Sequence, residues 1–307
     1  MTLDEIETFL SIARLGGFTE ASHALTRSQP AISRRVHQLE RSLGAALFER
    51  VGRRVSLTDA GRVLLPHAEA VLAAARDGER AVRDSLGATS PQVLRIAIVG
   101  TLADSHLVEA LRAFEARHRA ASVDLTTATS REVSALVRNG EAHLGLRYFP
   151  DGDPRLESKT LGVEKLFVIV PAGHRIRARR LRSLRRLEGE RWLGFAPERG
   201  QPDSFGRLLE RALVEAGFAD PRYTAVDSLT AQKRLVEAGL GVALMPKSSV
   251  REELRIGSLR AIEVQGLRLE QPVVAVRRRG GYESPLAAAF LAVLRKLTPD
   301  LHRGDGS

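Results

Sequence analysis

The chain is predicted to be an α/β multidomain protein, and three observations predict it. Residues 19–54 carry two short helical patterns followed by a basic hairpin, residues 59–87 hold one long helical pattern, and beyond residue 91 short apolar runs alternate with amphipathic segments. Alternation of that kind reads as parallel sheets covered by helices, after a small helical N-terminal domain and a connecting helix.

Leu3, Ile6, Phe9, Leu10 and Ala13 outline a first helix that Gly16 and Gly17 stop, and Ala21, Ala24 and Leu25 give a short second one. The third begins at Ser28, a good N-cap, with Pro30 in its first turn where the missing N–H costs nothing, and Gly44 closes it. At about 100° per residue Ile32, Val36, Leu39 and Leu43 fall in one arc that must face a core. Pro30, Ser33, Arg34, His37 and Arg41 fall opposite, small near the N-terminus and cationic or hydrogen-bonding beyond it. Such a face suits a helix entering the DNA major groove end-on, with Gln29 at the tip able to pair with adenine. Leu47–Arg50 and Val55–Leu57 flank Gly52-Arg53-Arg54, so a two-stranded wing would present Arg50, Arg53 and Arg54 to phosphate. A solvated helix face has a similar composition, and helix-turn-helix geometry occurs in proteins that never touch DNA, so the residues alone leave both readings open.

Thr58 caps a long helix running to about Gly87. Leu64, Ala68, Val71, Ala75, Gly78 and Val82 recur at coiled-coil spacing, which fits either a seam between subunits or a face packed on the same subunit, and Pro66 should kink the helix. Gly87–Pro91 reads as a hinge. Strands are expected at Leu94–Val99, Val123–Thr127, Leu144–Tyr148, Leu166–Val170, Trp192–Phe195, Ala243–Met245 and Val273–Val276, with helices near 107–117, 130–138, 205–216 and 229–238.

Composition is permissive. The 307 residues suit about two or three domains. The absence of cysteine excludes disulfides and thiolate metal sites. The start MTLDEIETFL lacks the basic and apolar regions of a signal peptide, and the longest apolar run, Leu286–Leu294, is too short for a bilayer span, which points to a cytoplasmic protein with no membrane partner. The net charge of +10 is a weak guide, since residues 1–90 carry only +1 of it (12 Arg and Lys against 11 Asp and Glu). The densest basic run, residues 175–186 with seven arginines, reads first as a solvated surface. The eight histidines show no ligand spacing, Gly239-Leu240-Gly241 lacks the third glycine of a dinucleotide fingerprint, and no nucleophile elbow or Walker loop occurs, so neither an enzyme nor a bound metal is expected.

Residues 1–65 closely resemble the DNA-binding domain of LysR-type transcriptional regulators. The likeness runs through Ala21, Leu25, Ser28-Gln29-Pro30-Ala31, Ser33, Leu39-Glu40, Leu43-Gly44, Leu47-Phe48 and Arg50, then Leu57-Thr58, Ala60-Gly61 and Leu64, with Ser22 a mild departure. Less specific matches follow around Ser130–Leu146 and Asp227–Pro246. The resemblance implies a winged helix-turn-helix domain at 1–58, a dimerising linker helix at 59–87, a hinge at 88–91, an effector domain at 92–300 and a flexible tail at 301–307. That effector domain should resemble a periplasmic binding protein, with lobe I at 92–163 and 267–300 and lobe II at 164–266. It further implies Ser28, Gln29, Pro30, Ser33, Arg34, His37, Arg50, Arg53 and Arg54 at DNA. Thr101, Leu102, Ser130, Arg147 and Phe149 are implied at a small-molecule effector, with Gln201, Pro202, Phe205 and Val226 from the opposing lobe. The effector is expected to be a small anion, a carboxylate, on helix N-termini in the cleft; no other cofactor is implied. Partners implied are promoter DNA with an inverted repeat, a second copy in a homodimer or homotetramer, and RNA polymerase.

Overall fold

The computed structural model describes residues 1–51, 54–86, 92–103, 107–197, 205–265 and 270–297, with the backbone alone at Val51 and Arg54. The hinge, the tail, Arg53, Gln201 and Pro202 therefore lie outside the described residues.

Three helices, α1 (Leu3–Leu15), α2 (Phe18–Ala24) and α3 (Gln29–Leu43), precede the hairpin of β1 (Phe48–Val51) and β2 (Arg54–Leu57). Thr2 and Glu5 form a reciprocal capping box on α1, and Gly16 ends it in the left-handed region at φ 74°. Ile6, Phe9 and Leu39 are buried together with Leu47, and Phe48 packs its ring 5.3 Å from Phe9 and 5.9 Å from Phe18, so the wing is locked to the helices. Leu43, expected in the core arc, is 44% exposed in the last turn of α3.

The linker helix α4 spans Asp59–Ser85 and is capped by Thr58; Pro66 lies inside it without ending it. A Cβ on Gly61 would stand 2.2 Å from the Leu47 carbonyl oxygen, so only glycine lets the helix start this close to the wing. The expected seam divides. Leu64 and Ala68 pack into the N-terminal core, whereas Val71 and Val82 are 41% and 63% exposed. The first two positions thus serve their own subunit, and the apolar positions left open begin at Val71.

The remainder contains β3 (Gln92–Val99), α5 (Leu107–Arg117), β4 (Ala121–Ala128), α6 (Ser130–Arg138), β5 (Leu144–Tyr148), β6 (Leu156–Pro171), β7 (Arg180–Leu181), β8 (Trp192–Gly194), α7 (Phe205–Glu215), β9 (Tyr223–Ala225), α8 (Leu229–Glu237), β10 (Val242–Pro246), α9 (Arg251–Ile256), β11 (Leu259–Val264), β12 (Glu270–Arg278) and α10 (Pro285–Leu297). The strand order is β4-β3-β5-β12-β6-β10-β8-β9. β3 is parallel to β4 and β5, and β8 is parallel to β9 and β10. The two groups are joined by antiparallel pairings of β6 with β12 and β10, so the sheets are mixed where all-parallel ones were expected. The reason is topological. β6 is 16 residues long, and its C-terminal part is the strand expected at Leu166–Val170.

One core lies around Leu94, Ile96, Ile98, Phe114 and Phe290, under α10. The other region buries both faces of β6: Leu166, Val168 and Val170 share one core with Trp192 and Leu209, and Phe167 and Ile169 share another with Val236 and Met245. That is the continuous apolar pattern of a strand covered on both sides.

Candidate DNA interface and ligand cleft

The exposed side of α3 is built by what its other side buries. Ile32, Val36 and Leu39 are buried, while Gln29, Pro30, Arg34, His37 and Arg41 are exposed and Ser33 is half-buried. Ser28 occupies the N-cap position in extended geometry, but its hydroxyl makes no capping hydrogen bond. The expected cap is therefore one of position alone, and the hydroxyl stays available to an outside acceptor. Arg34 Nε donates to Pro30 O at 3.4 Å and Arg41 Nε to His37 O at 3.3 Å, which lays both guanidinium stems along the helix. His37 Nδ1 lies 3.3 Å from Glu40 Oε2, and Glu40 Oε1 accepts from Leu47 N at 2.8 Å, so this carboxylate holds the wing against α3. Arg50 is exposed on β1. Arg34 and Arg41 on α3 and Arg50 on β1 are thus exposed cationic side chains of this domain.

A cavity of about 470 Å³ opens between β3, β4, β5 and α6 on one side and β8, α7 and α8 on the other. Three expected residues line it: Thr101, Ser130 and Phe205. Tyr148, Phe195 and Asp227 line it as well and were missed. Phe205 sits at the centre of an aromatic chain, 5.9 Å from Tyr148 and 5.8 Å from Phe195. A Cβ on Gly206 would stand 2.3 Å from the Phe195 carbonyl oxygen, so glycine lets the first turn of α7 close on this wall. Beneath the cavity the Tyr148 hydroxyl donates to Glu164 Oε2 at 2.7 Å and the Ser248 hydroxyl to Glu164 Oε1 at 2.6 Å. Burial raises the Tyr148 phenol well above its ordinary range, and the neighbouring Glu164 charge adds to this. At the mouth, N–H donation from Thr129 holds the Glu132 carboxyl below its usual value.

Other expected residues are elsewhere. Successive strand residues face opposite sides, so Tyr148 reaches the cleft and Arg147 cannot. Arg147 is 5% exposed, donates to Ser134 Oγ at 2.7 Å and pairs with Asp151, on the side facing α1 and α4. Leu102 is buried in the first core, and Phe149, with φ 58°, packs against both cores. Val226 lies beside the cavity, with its N–H bonded to Gly194 O and its carbonyl to the Gln232 amide. The aromatic wall was hidden because Tyr148 ends a strand buried at all five positions, where no exposed side chain marks which face turns to the cleft.

Among the described residues no helix is long and apolar enough to cross a membrane, and no group of His, Asp and Glu could hold a metal.

Comparison with known proteins agrees with this layout. Residues 3–62 match the bacterial regulatory helix-turn-helix family of LysR type, and residues 88–299 match the LysR substrate binding domain. The chain is 29% identical over 293 residues to the transcriptional regulator CbbR of Rhodospirillum rubrum, covering 95% of each protein. It is 32% identical over 303 residues to the regulator TfdS of Cupriavidus pinatubonensis, covering 96% of this chain and 98% of the relative. Among solved structures, the LysR family regulator CbnR is 27% identical with a TM-score of 0.65, covering 98% of this chain and 100% of that one, and CbnR bound to its target DNA matches with a TM-score of 0.63. With both domains matched and full-length relatives that are regulators rather than enzymes, the chain belongs to the LysR family: it is a DNA-binding transcriptional regulator carrying a small-molecule effector domain.

Proposed function

We propose that α3 reads promoter DNA through Gln29, Pro30, Ser33 and Arg34, that Ser28, His37, Arg50, Arg53 and Arg54 hold phosphate, and that a small molecule in the cleft modulates promoter binding or activation. The observation that carries this reading is the division of α3 into a buried apolar arc and an exposed face of Gln29, Pro30, Arg34 and His37 beside a basic hairpin. We place the DNA-binding domain at 1–58, the linker helix at 59–87 and the hinge at 88–91. Lobe I is placed at 92–163 and 267–300, and lobe II at 164–266.

The effector is placed among Thr101, Ser130, Phe205 and Tyr148. Its class is proposed as a carboxylate resting on the N-terminal turns of α6 and α8, which open on the cavity. Arg147 no longer supports an anion, and the described lining carries Glu132 and Asp227 but no Lys, Arg or His. A carboxylate would depend on hydroxyl and backbone N–H donors alone. We further propose a cytoplasmic homodimer or homotetramer on an inverted repeat, built on the open face of α4, with RNA polymerase as a partner at the promoter. Genome-wide mapping of bound DNA, followed by footprinting with candidate carboxylates and their amide isosteres, tests the reading. Specific footprints that no small molecule alters would leave the DNA half standing and remove the effector half.

A further inference from the structure

The linker helix meets β3 and α6 across a separate cavity of about 440 Å³, walled by Arg76, Arg80 and Arg83 of α4 and by Arg95 of β3. The three helix arginines stand at i, i+4 and i+7, one row on one face. Arg76 Nη1 donates to Asn139 O at 2.8 Å and Arg80 donates to Gly140 O, which fixes both at the C-terminal turn of α6.

Carboxylates approach this row without closing on it. Arg76 with Glu141, Arg80 with Asp77 and Arg95 with Asp124 are each 3.6 Å apart, beyond hydrogen-bond distance. The close partners of two of these acids lie elsewhere. Glu141 Oε1 takes Arg14 at 2.5 Å, while Asp77 takes Arg278 and the Tyr282 N–H. Glu79, Asp124 and Glu141 also line the cavity, Glu79 and Asp124 as exposed side chains, so four arginines meet three carboxylates and one positive charge is left over. Two titrating neighbours register the resulting positive field. Burial lowers Arg80, and Arg95, Arg76 and Arg278 lower it further against the pull of Asp77. Burial, then Arg80 and Arg95, bring His143 down to about 4.

We propose that this cavity is an oxyanion site that takes a phosphate group through Arg76, Arg80, Arg83 and Arg95. Guanidinium forks match phosphate oxygens two at a time, and an anion here would bind the linker helix and β3 at once. Occupancy would therefore stiffen the joint between linker and effector domain, independently of the cleft. The cavity is open to solvent, so either free phosphate or a phosphate ester would satisfy it.

Isothermal titration of the full-length protein with inorganic phosphate and with methyl phosphate, at constant ionic strength in chloride, tests the proposal. Saturable binding at one site per chain is expected, with a Kd on the order of 1 mM. Arg95→Gln should weaken it about 10-fold. Arg83→Gln, at an exposed position where folding is not at stake, should weaken it about 3-fold or more. Ser130→Ala in the cleft and Arg34→Ala on α3 should leave it unchanged. Tighter methyl phosphate assigns the site to an ester, and tighter inorganic phosphate assigns it to the free anion. No saturable binding of either probe, binding undiminished in the Arg83→Gln/Arg95→Gln double variant, or binding lost in Arg34→Ala would overturn it.

Discussion

Arg138 Nε on α6 donates to Glu69 Oε2 on the linker helix at 3.0 Å, and Arg155 Nη1 reaches the same oxygen at 2.9 Å. Glu69 is 8% exposed, and Asp153 holds both arginines from the other side at 3.3 and 2.8 Å. One linker carboxylate is therefore enclosed by a network belonging to the effector domain. Glu69→Gln should cost about 1–3 kcal/mol, below the figure for a fully buried pair because both arginines keep Asp153 and partial solvent access. Urea unfolding and protease susceptibility of the linker measure it; an unchanged midpoint and cleavage rate would show that the network holds nothing together.

Acid should loosen the same joint. Hydrogen bonds from Arg155 hold the Asp153 carboxyl below its ordinary value, and Asp151 is also held low: burial raises it, but the Ser134 hydroxyl, the Asp153 N–H and Arg147 outweigh that. A carboxyl depressed in the folded state stabilises fully above its unfolded pKa, about 3.9, and that contribution is lost as pH falls through the folded value. Unfolding midpoints measured from pH 6 down to about pH 3 should drop less in Asp153→Asn than in the wild type. Parallel profiles would refute the assignment.

The α3 face and the wing should fail differently. Gln29→Ala, Ser33→Ala or Arg34→Ala should cost about 1–3 kcal/mol at the specific site and relax base preference. Arg50→Ala should weaken all sequences alike and flatten the salt dependence. Binding-site selection with the triple alanine variant settles the point, and an unchanged consensus would disprove base reading by these residues.

Association should depend on the upper half of α4. Val71→Asp or Val82→Asp sets like charges across the face left open there and should lower the assembly state in sedimentation. Asp at Ala68 should instead unfold the N-terminal domain, because that side chain is buried in its core. A wild-type monomer with full affinity for an inverted repeat would end the dimer proposal.

In the cleft, Thr101→Val, Ser130→Ala and Tyr148→Phe should preserve DNA binding and abolish the effector response. Tyr148→Phe also strips a hydrogen bond from buried Glu164 and should cost about 1–3 kcal/mol of stability. Arg147→Ala should destabilise through unpaired Asp151 without altering ligand choice, since its side chain faces away from the cavity. A change in ligand preference with stability intact would restore Arg147 to the site.

The helical parts were the more legible in sequence because their signals are local. The bounds 107–117 and 130–138 coincide with α5 and α6, whose apolar periodicity is local, and α6 also carries its own Thr129 cap. The first half of β6 was not legible: Glu157, Lys159, Glu164 and Lys165 interrupt its apolar pattern, and pairing with β12 makes it a strand. β9, of three residues, and β11, of six, were missed as well, both being placed by their neighbours. For the site, residue type pointed to Thr101 and Ser130, but Arg147 was misplaced because a strand-end arginine says nothing of which face it takes.

The long strand β6 has a mechanical consequence. Its first part pairs with β12 and its last with β10 and β11, and the register shifts between Val273 and Val274, opposite Gly162 and Thr160. Two halves joined by a hydrogen-bonded ribbon cannot swing as freely as two bodies on a slack tether; they should flex like the arms of tweezers, about the register shift. A ligand that drew them together would work against an elastic restoring force, so its departure should reopen the cleft without any further input.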